Sequence, residues 1–182
     1  GNNAHIIDTP WTQEETEQLI KWINSKGLIV KSSIITHFHE DASGGIPFLN
    51  RSNIKTYATP LTNNLLNLHH KESSSDEIPS NTFVLVKDTI EIFYPGAGHT
   101  EDNIVVWLPK NQILFGGCFV KSMKSKNLGN TEDASVKEWA DSIQHVINKY
   151  PNIAVVVPGH GKVGDISLLR HTAKLALAVK DL

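Results

Sequence analysis

Four apolar segments far apart in the chain end in the same way, with a metal-competent side chain within a few residues of glycine. They are Ile34-Ile35-Thr36-His37 ahead of Gly44-Gly45, Ile90 through Pro95-Gly96-Ala97-Gly98-His99, Ile113-Leu114-Phe115-Gly116-Gly117-Cys118, and Val155-Val156-Val157-Pro158-Gly159-His160. Short apolar runs that break at glycine read as buried strands giving way to loops, and loops at strand ends are where folds assemble sites. If those strands end at one edge of a sheet sandwich, His37, His39, Asp41, His99, Cys118 and His160 converge in one cleft, with glycines letting the backbone pass closely around it.

The densest of these endings is His37-Phe38-His39-Glu40-Asp41. In an extended segment, imidazoles two residues apart project the same way and a carboxylate two further on joins them, so one short loop offers three ligands. Borderline and hard donors together favour zinc. Taken alone, the run also fits a histidine-rich surface turn; the three distant endings argue against that alternative. Six ligands suit two ions, three on each, which leaves positions open for water, as catalytic sites do and closed structural sites do not. The natural split gives His37, His39 and His99 to one ion and Asp41, Cys118 and His160 to the other.

The chain has 182 residues, enough for one domain with a core that needs no disulfides. Its formal charge of -2 supplies no basic field for nucleic acid or an anionic bilayer. No apolar stretch is long enough to span a membrane, and no secretory leader opens the chain. Cys118 is the only cysteine, so an internal disulfide is excluded and the thiol is left for packing, reactivity or metal.

Thr12 and Glu15 form a capping box ahead of a helix over about Gln13–Lys26, which Gly27 ends. A strand within Leu28–Thr36 leads into the histidine loop, with Gly44-Gly45 as a sharp turn. A short helix spans Ile46–Asn50, a strand Ile54–Ala58, and Thr59-Pro60 starts a helix reaching about Leu68. His69 to Asp76 reads as a polar loop whose adjacent histidines are solvated. Two hairpins follow, Phe83–Val86 with Ile90–Tyr94 and Ile104–Leu108 with Ile113–Phe115. Asp133 caps a helix presenting Val136, Trp139, Ala140, Ile143, Val146 and Ile147 on one face. A strand over Ile153–Val157 follows, and then a final helix capped by Asp165, with Leu168, Leu169, Thr172, Ala173, Leu175, Ala176 and Val179 buried. Trp22, Trp107 and Trp139 read as core, and His5, His145 and His171 as structural. Alternating helices and strands around central hairpins predict an α/β layered domain, not a bundle or a simple barrel.

On these residues the chain resembles the metallo-β-lactamase family, and Cys118 in the second site points to subclass B1. The likeness runs through His37-Phe38-His39-Glu40-Asp41, Gly98-His99-Thr100-Glu101-Asp102-Asn103, Gly116-Gly117-Cys118-Phe119-Val120-Lys121, Leu128-Gly129-Asn130 and Pro158-Gly159-His160-Gly161. It implies a four-layer αβ/βα sandwich, two zinc ions in a groove, and a periplasmic or secreted enzyme that hydrolyses penicillins, cephalosporins and carbapenems and so confers antibiotic resistance. The implied partner is a small-molecule β-lactam, met by a monomer with no nucleic acid or membrane partner.

In that reading a hydroxide shared by the two ions attacks the lactam carbonyl, with Asp41 orienting it or a water. Lys121 holds the substrate carboxylate, and Asn130 donates its amide to the carbonyl oxygen; as a turn residue Asn130 also has a purely structural alternative. Asp8 supports the metal loop through its backbone without being a ligand. Family members open with further β-strands and a flap hairpin, whereas this sequence opens at His5-Ile6-Ile7-Asp8. The expected domain over 1–182 therefore lacks those strands, and a zinc-binding fragment that is inactive or needs complementation is one alternative. Another is a different superfamily hydrolase, a glyoxalase II or lactonase. Those usually carry a histidine directly after the aspartate, where this chain has Ala42, and a bridging aspartate where it has Cys118.

Overall fold

Thr12 begins the first helix as its spacing predicts: the Thr12 hydroxyl accepts from the Glu15 amide at 3.1 Å, and the Glu15 carboxylate accepts from the Thr12 amide at 3.2 Å. Two otherwise orphaned helix-end donors are thereby satisfied. The computed structural model describes residues 2–180, and the chain divides into two compact units, Gly1–Ser80 and Asn81–Leu182.

The first unit alternates strand and helix: β1 (Asn3–Ile7), α1 (Gln13–Ser25), β2 (Ile29–Ile34), the short helical turn α2 (Glu40–Ser43), α3 (Ile46–Arg51), β3 (Lys55–Ala58), α4 (Pro60–Leu68) and β4 (Asp76–Glu77). Helical crossovers return each strand in the same direction, so the sheet, ordered β1-β2-β3-β4, is parallel throughout. Ile35, Phe38, Ala42, Ile46, Ala58 and Leu66 form one apolar cluster beneath the histidine loop. Ile6, Ile23 and Val30 form another under α1. Each fully buried aliphatic side chain contributes about 1.5–3 kcal/mol.

Two expectations change here. Trp22 is 58% exposed, not core, with the Lys26 ammonium 5.6 Å from its ring centroid. Ile23 faces the sheet, and its neighbour points about 100° away around the helix. Gly44 and Gly45 form the expected turn between α2 and α3, with right-handed helical angles. They are needed for contact, because a Cβ on Gly44 would overlap the Trp11 carbonyl and one on Gly45 the Thr16 side chain. Strand β4 lies at the end of the expected loop; two residues are too few to show periodicity.

The second unit holds β5 (Thr82–Val86), β6 (Ile90–Phe93), β7 (Val105–Leu108), β8 (Ile113–Gly117), α5 (Val136–Lys149), β9 (Val155–Pro158) and α6 (Ser167–Lys180). The two predicted hairpins supply four antiparallel strands, and β9 adds parallel to β8, giving the order β5-β6-β7-β8-β9. Helices α5 and α6 bury their predicted faces in one core with Trp107, Leu114, Phe119, Leu128 and Val156. Val179, near the end of α6, stays 41% exposed.

Asp133 does not cap α5. Ser135 occupies that position without a side-chain bond, its amide donating to the Gly98 carbonyl at 2.9 Å and its carbonyl accepting from Trp139 at 3.0 Å. A tertiary hydrogen bond, not a capping side chain, sets where this helix starts. Asp165 accepts from the Ser167 amide at 2.8 Å just ahead of α6. Among the described residues, no helix is long and apolar enough to cross a membrane.

Candidate metal centre

In the first unit the metal-competent residues follow β2 directly. His37, His39 and Asp41 each place a donor atom within 4.8 Å of the others, the His37 Nε2 to Asp41 Oδ1 separation being 3.3 Å. The expected extended geometry is not how this happens. Residues 37–39 form a bend, His39 sits at the N-cap of α2, and Asp41 lies inside that helical turn, so His37 and Asp41 meet at a helix-like spacing of four.

Asp8 braces this bend. Its Oδ1 accepts from the Thr36 amide at 2.8 Å and its Oδ2 from the Thr36 hydroxyl at 2.9 Å, while that hydroxyl lies 3.2 Å from His37 Nδ1. Nδ1 is thus engaged by Thr36, and Nε2 is the ring nitrogen that faces the Asp41 carboxylate. Burial pushes the Asp8 carboxyl up to about 6, against the pull of His37 and the Thr36 hydrogen bonds. Asp8 takes a left-handed backbone, φ 61°, to turn the carboxylate inward.

In the second unit Cys118 follows β8 and His160 follows β9, two adjacent parallel strands. Cys118 Sγ lies 3.4 Å from His160 Nε2. Gly159 permits this approach: a Cβ there would stand 2.7 Å from both the amide nitrogen and the sulfur of Cys118. His99 is 8% exposed, its ring centroid 5.9 Å from that of Trp139. Donors of imidazole, thiol and carboxylate type, held close together within each unit, suit a borderline divalent cation.

Lys121 borders a cavity of about 200 Å³ with Cys118, Val120, Asn127, Leu128 and His160. Its amide donates to Thr172 at 2.8 Å and its ammonium lies 5.4 Å from the Trp139 ring centroid. Asn130 lies outside the residues lining that cavity, exposed, with Oδ1 accepting from the Glu132 amide at 3.0 Å. His5, His145 and His171 bond to Ser32, the Pro95 carbonyl and the Ser125 carbonyl, matching their structural reading.

A sequence model of the metallo-β-lactamase superfamily matches residues 1–160. The chain belongs to this superfamily. It is 45% identical over 177 residues to a metallo-β-lactamase type 2 of Pseudomonas aeruginosa, covering 97% of this chain and 71% of that relative. The solved structure of VMB-1 superposes with TM-score 0.97 at 65% identity, covering 99% of this chain and 82% of VMB-1. The DIM-1 metallo-β-lactamase gives 0.95 at 49% identity, covering 98% and 83%. The two sheets with their helices are thus those of the metallo-β-lactamase fold, and membership implies a metal for which the histidine, aspartate and cysteine side chains are candidate ligands.

Two residues escaped the sequence reading. Lys71, taken as part of a polar loop, donates to the Phe38 carbonyl and pairs with Glu40. Thr172, read only as part of a buried helical face, anchors the backbone of Lys121. A buried threonine among leucines and alanines is a faint signal for the latter; nothing local marks the former.

Proposed function

We propose that this chain hydrolyses the amide bond of β-lactams with two zinc ions, His37, His39 and His99 holding one and Asp41, Cys118 and His160 the other. The observation that carries the reading is the clustering of His37, His39 and Asp41 donor atoms within 4.8 Å in a member of the metallo-β-lactamase superfamily. Cys118, 3.4 Å from His160, is the thiol expected of subclass B1. The two units act together as one metallo-β-lactamase domain in this reading.

Zinc, when bound, acts as a Lewis acid and lowers the pKa of a coordinated water toward neutrality. The chain's own groups supply the rest. The Asp41 carboxylate accepts a hydrogen bond from the attacking water and orients its oxygen toward the carbonyl carbon. The C–N bond breaks as that carbon gains the hydroxyl oxygen, and the ring nitrogen leaves with the proton. Cys118 serves as a thiolate, adding negative charge beside His160. The Lys121 ammonium, on the rim of the Cys118–His160 cavity, takes the substrate carboxylate. The Asn130 amide is proposed to donate to the carbonyl oxygen, with its Oδ1 engaged by Glu132.

The family reading extends to carbapenems as substrates, to a monomeric periplasmic or secreted enzyme, and to antibiotic resistance as the outcome. Turnover of a chromogenic cephalosporin, a thioester and a homoserine lactone tests it directly. Hydrolysis of the cephalosporin alone is the expected result; preference for the thioester or lactone identifies a different hydrolase of the superfamily. Lys121→Ala is expected to raise KM about tenfold with kcat little changed, since the ammonium binds a part of the substrate that does not react. Steady-state kinetics on the cephalosporin checks it.

A further inference from the structure

Phe38 and Glu40 occupy the positions between the three metal-competent residues of the histidine loop, and one side chain grips both. Lys71 Nζ lies 2.8 Å from Glu40 Oε1, donates to the Phe38 carbonyl at 3.2 Å, and stands 5.5 Å from the Phe38 ring centroid. The Phe38 carbonyl accepts a second bond, from Ser43 Oγ at 3.0 Å, so two donors from different segments fix the orientation of that peptide. Phe38 itself is 4% exposed, and its ring stacks on His69 at 4.9 Å.

Lys71 is placed there by the end of α4. The His70 amide bonds to the Asn67 carbonyl at 3.0 Å and the Lys71 amide to the Leu66 carbonyl at 2.8 Å, the paired bonds of a Schellman reversal. Glycine usually takes the left-handed position of that motif. Here it is His70, at φ 57°, a conformation that persists in a side-chain-bearing residue only where the surroundings enforce it. The reversal turns the chain from the helix axis and brings residues 69 and 71 together onto Phe38.

We propose that Lys71 is the positioning residue of the metal loop, holding Phe38 and Glu40 so that His37, His39 and Asp41 present their donor atoms already converged. The inference rests on the metal reading given above and goes beyond it in assigning the loop's geometry to a residue outside the family motif. Lys71 is not one of the metal-competent residues of that loop. It acts through the two residues that alternate with the ligands, much as outer partners set the orientation of ligating side chains elsewhere.

The test is zinc affinity, measured by competition with a chromophoric chelator on metal-stripped protein whose fold is checked by circular dichroism. Lys71→Met keeps the stem and removes the charge, and is expected to weaken zinc binding about tenfold or more. Lys71→Arg is expected to recover most of the loss. Lys55→Met, which breaks the 2.8 Å Lys55–Asp76 pair in the same unit, is expected to leave affinity unchanged. Wild-type affinity in Lys71→Met, or an equal loss in Lys55→Met, overturns the proposal. Should Lys71→Met fail to fold, Glu40→Gln reads the same grip, and unchanged zinc affinity there also overturns it. A wild-type chain that takes up no zinc overturns the functional reading itself, and is thereby distinguishable from failure of this inference alone.

Discussion

Stripping the chain of metal with excess chelator is expected to lower cephalosporin and carbapenem hydrolysis by on the order of 10³-fold or more, and added zinc is expected to restore it. The size of the effect follows from what the remaining side chains offer. A carboxylate, imidazoles and an ammonium can orient water and substrate and act as general bases, but they do not lower the pKa of the water itself toward neutrality as a bound metal does. Cys118 beside His160, at 3.4 Å, resembles a protein nucleophile with its base. The experiment separates the two chemistries: a cysteine nucleophile survives the chelator and dies on thiol alkylation. Turnover that persists after complete metal removal rules out the proposed reaction. Removal also withdraws ligand-linked stability, about 2.7 kcal/mol for zinc at a hundredfold excess over its Kd, so the thermal midpoint is expected to fall together with activity.

Trp139→Ala is expected to cost about 3–5 kcal/mol, the usual loss for truncating a fully buried aromatic. The residue is 0% exposed, and its Nε1 donates to the Phe119 carbonyl at 2.9 Å. The variant opens a cavity between α5 and the sheet and strands that carbonyl. A domain of this size loses about 2–4 °C per kcal/mol, so the midpoint is expected to drop by about 10 °C. Trp139→Phe, which keeps most of the ring but not the N–H, is expected to lose about 1–3 kcal/mol. Function is affected as well, because the His99 ring packs 5.9 Å from this indole and the Lys121 ammonium lies 5.4 Å from it. Thermal melts of metal-free and zinc-loaded protein are the check. A midpoint within 2 °C of wild type for Trp139→Ala would remove Trp139 from its assigned place at the centre of this core.

The metal-competent residues are legible in the sequence, because donor type and glycine are properties of the chain itself. A thiolate can come only from Cys118, and the close approach at Gly159 admits no side chain. A cap whose side chain bonds the helix end is equally local, so the Thr12–Glu15 box and the Thr59-Pro60 start stand where their spacing puts them. The hairpins declare themselves through short apolar runs on either side of turn residues.

What the sequence by itself determined, then, is the inventory of donors, the order of strands and helices, and the strand ends on which the donors ride. The tertiary structure alone decided which way each element faces and what grips it. Trp22 and Trp139 lie on similar amphipathic helices, yet docking exposes one and buries the other. His37, His39 and Asp41 meet through a bend and a helical turn instead of an extended strand. Lys71 reaches Phe38 across 33 residues by way of a left-handed reversal at His70. The physical reason is range: caps, turns and donor types act within a few residues, whereas packing direction and long-range hydrogen bonds depend on surfaces that exist only once the chain has folded.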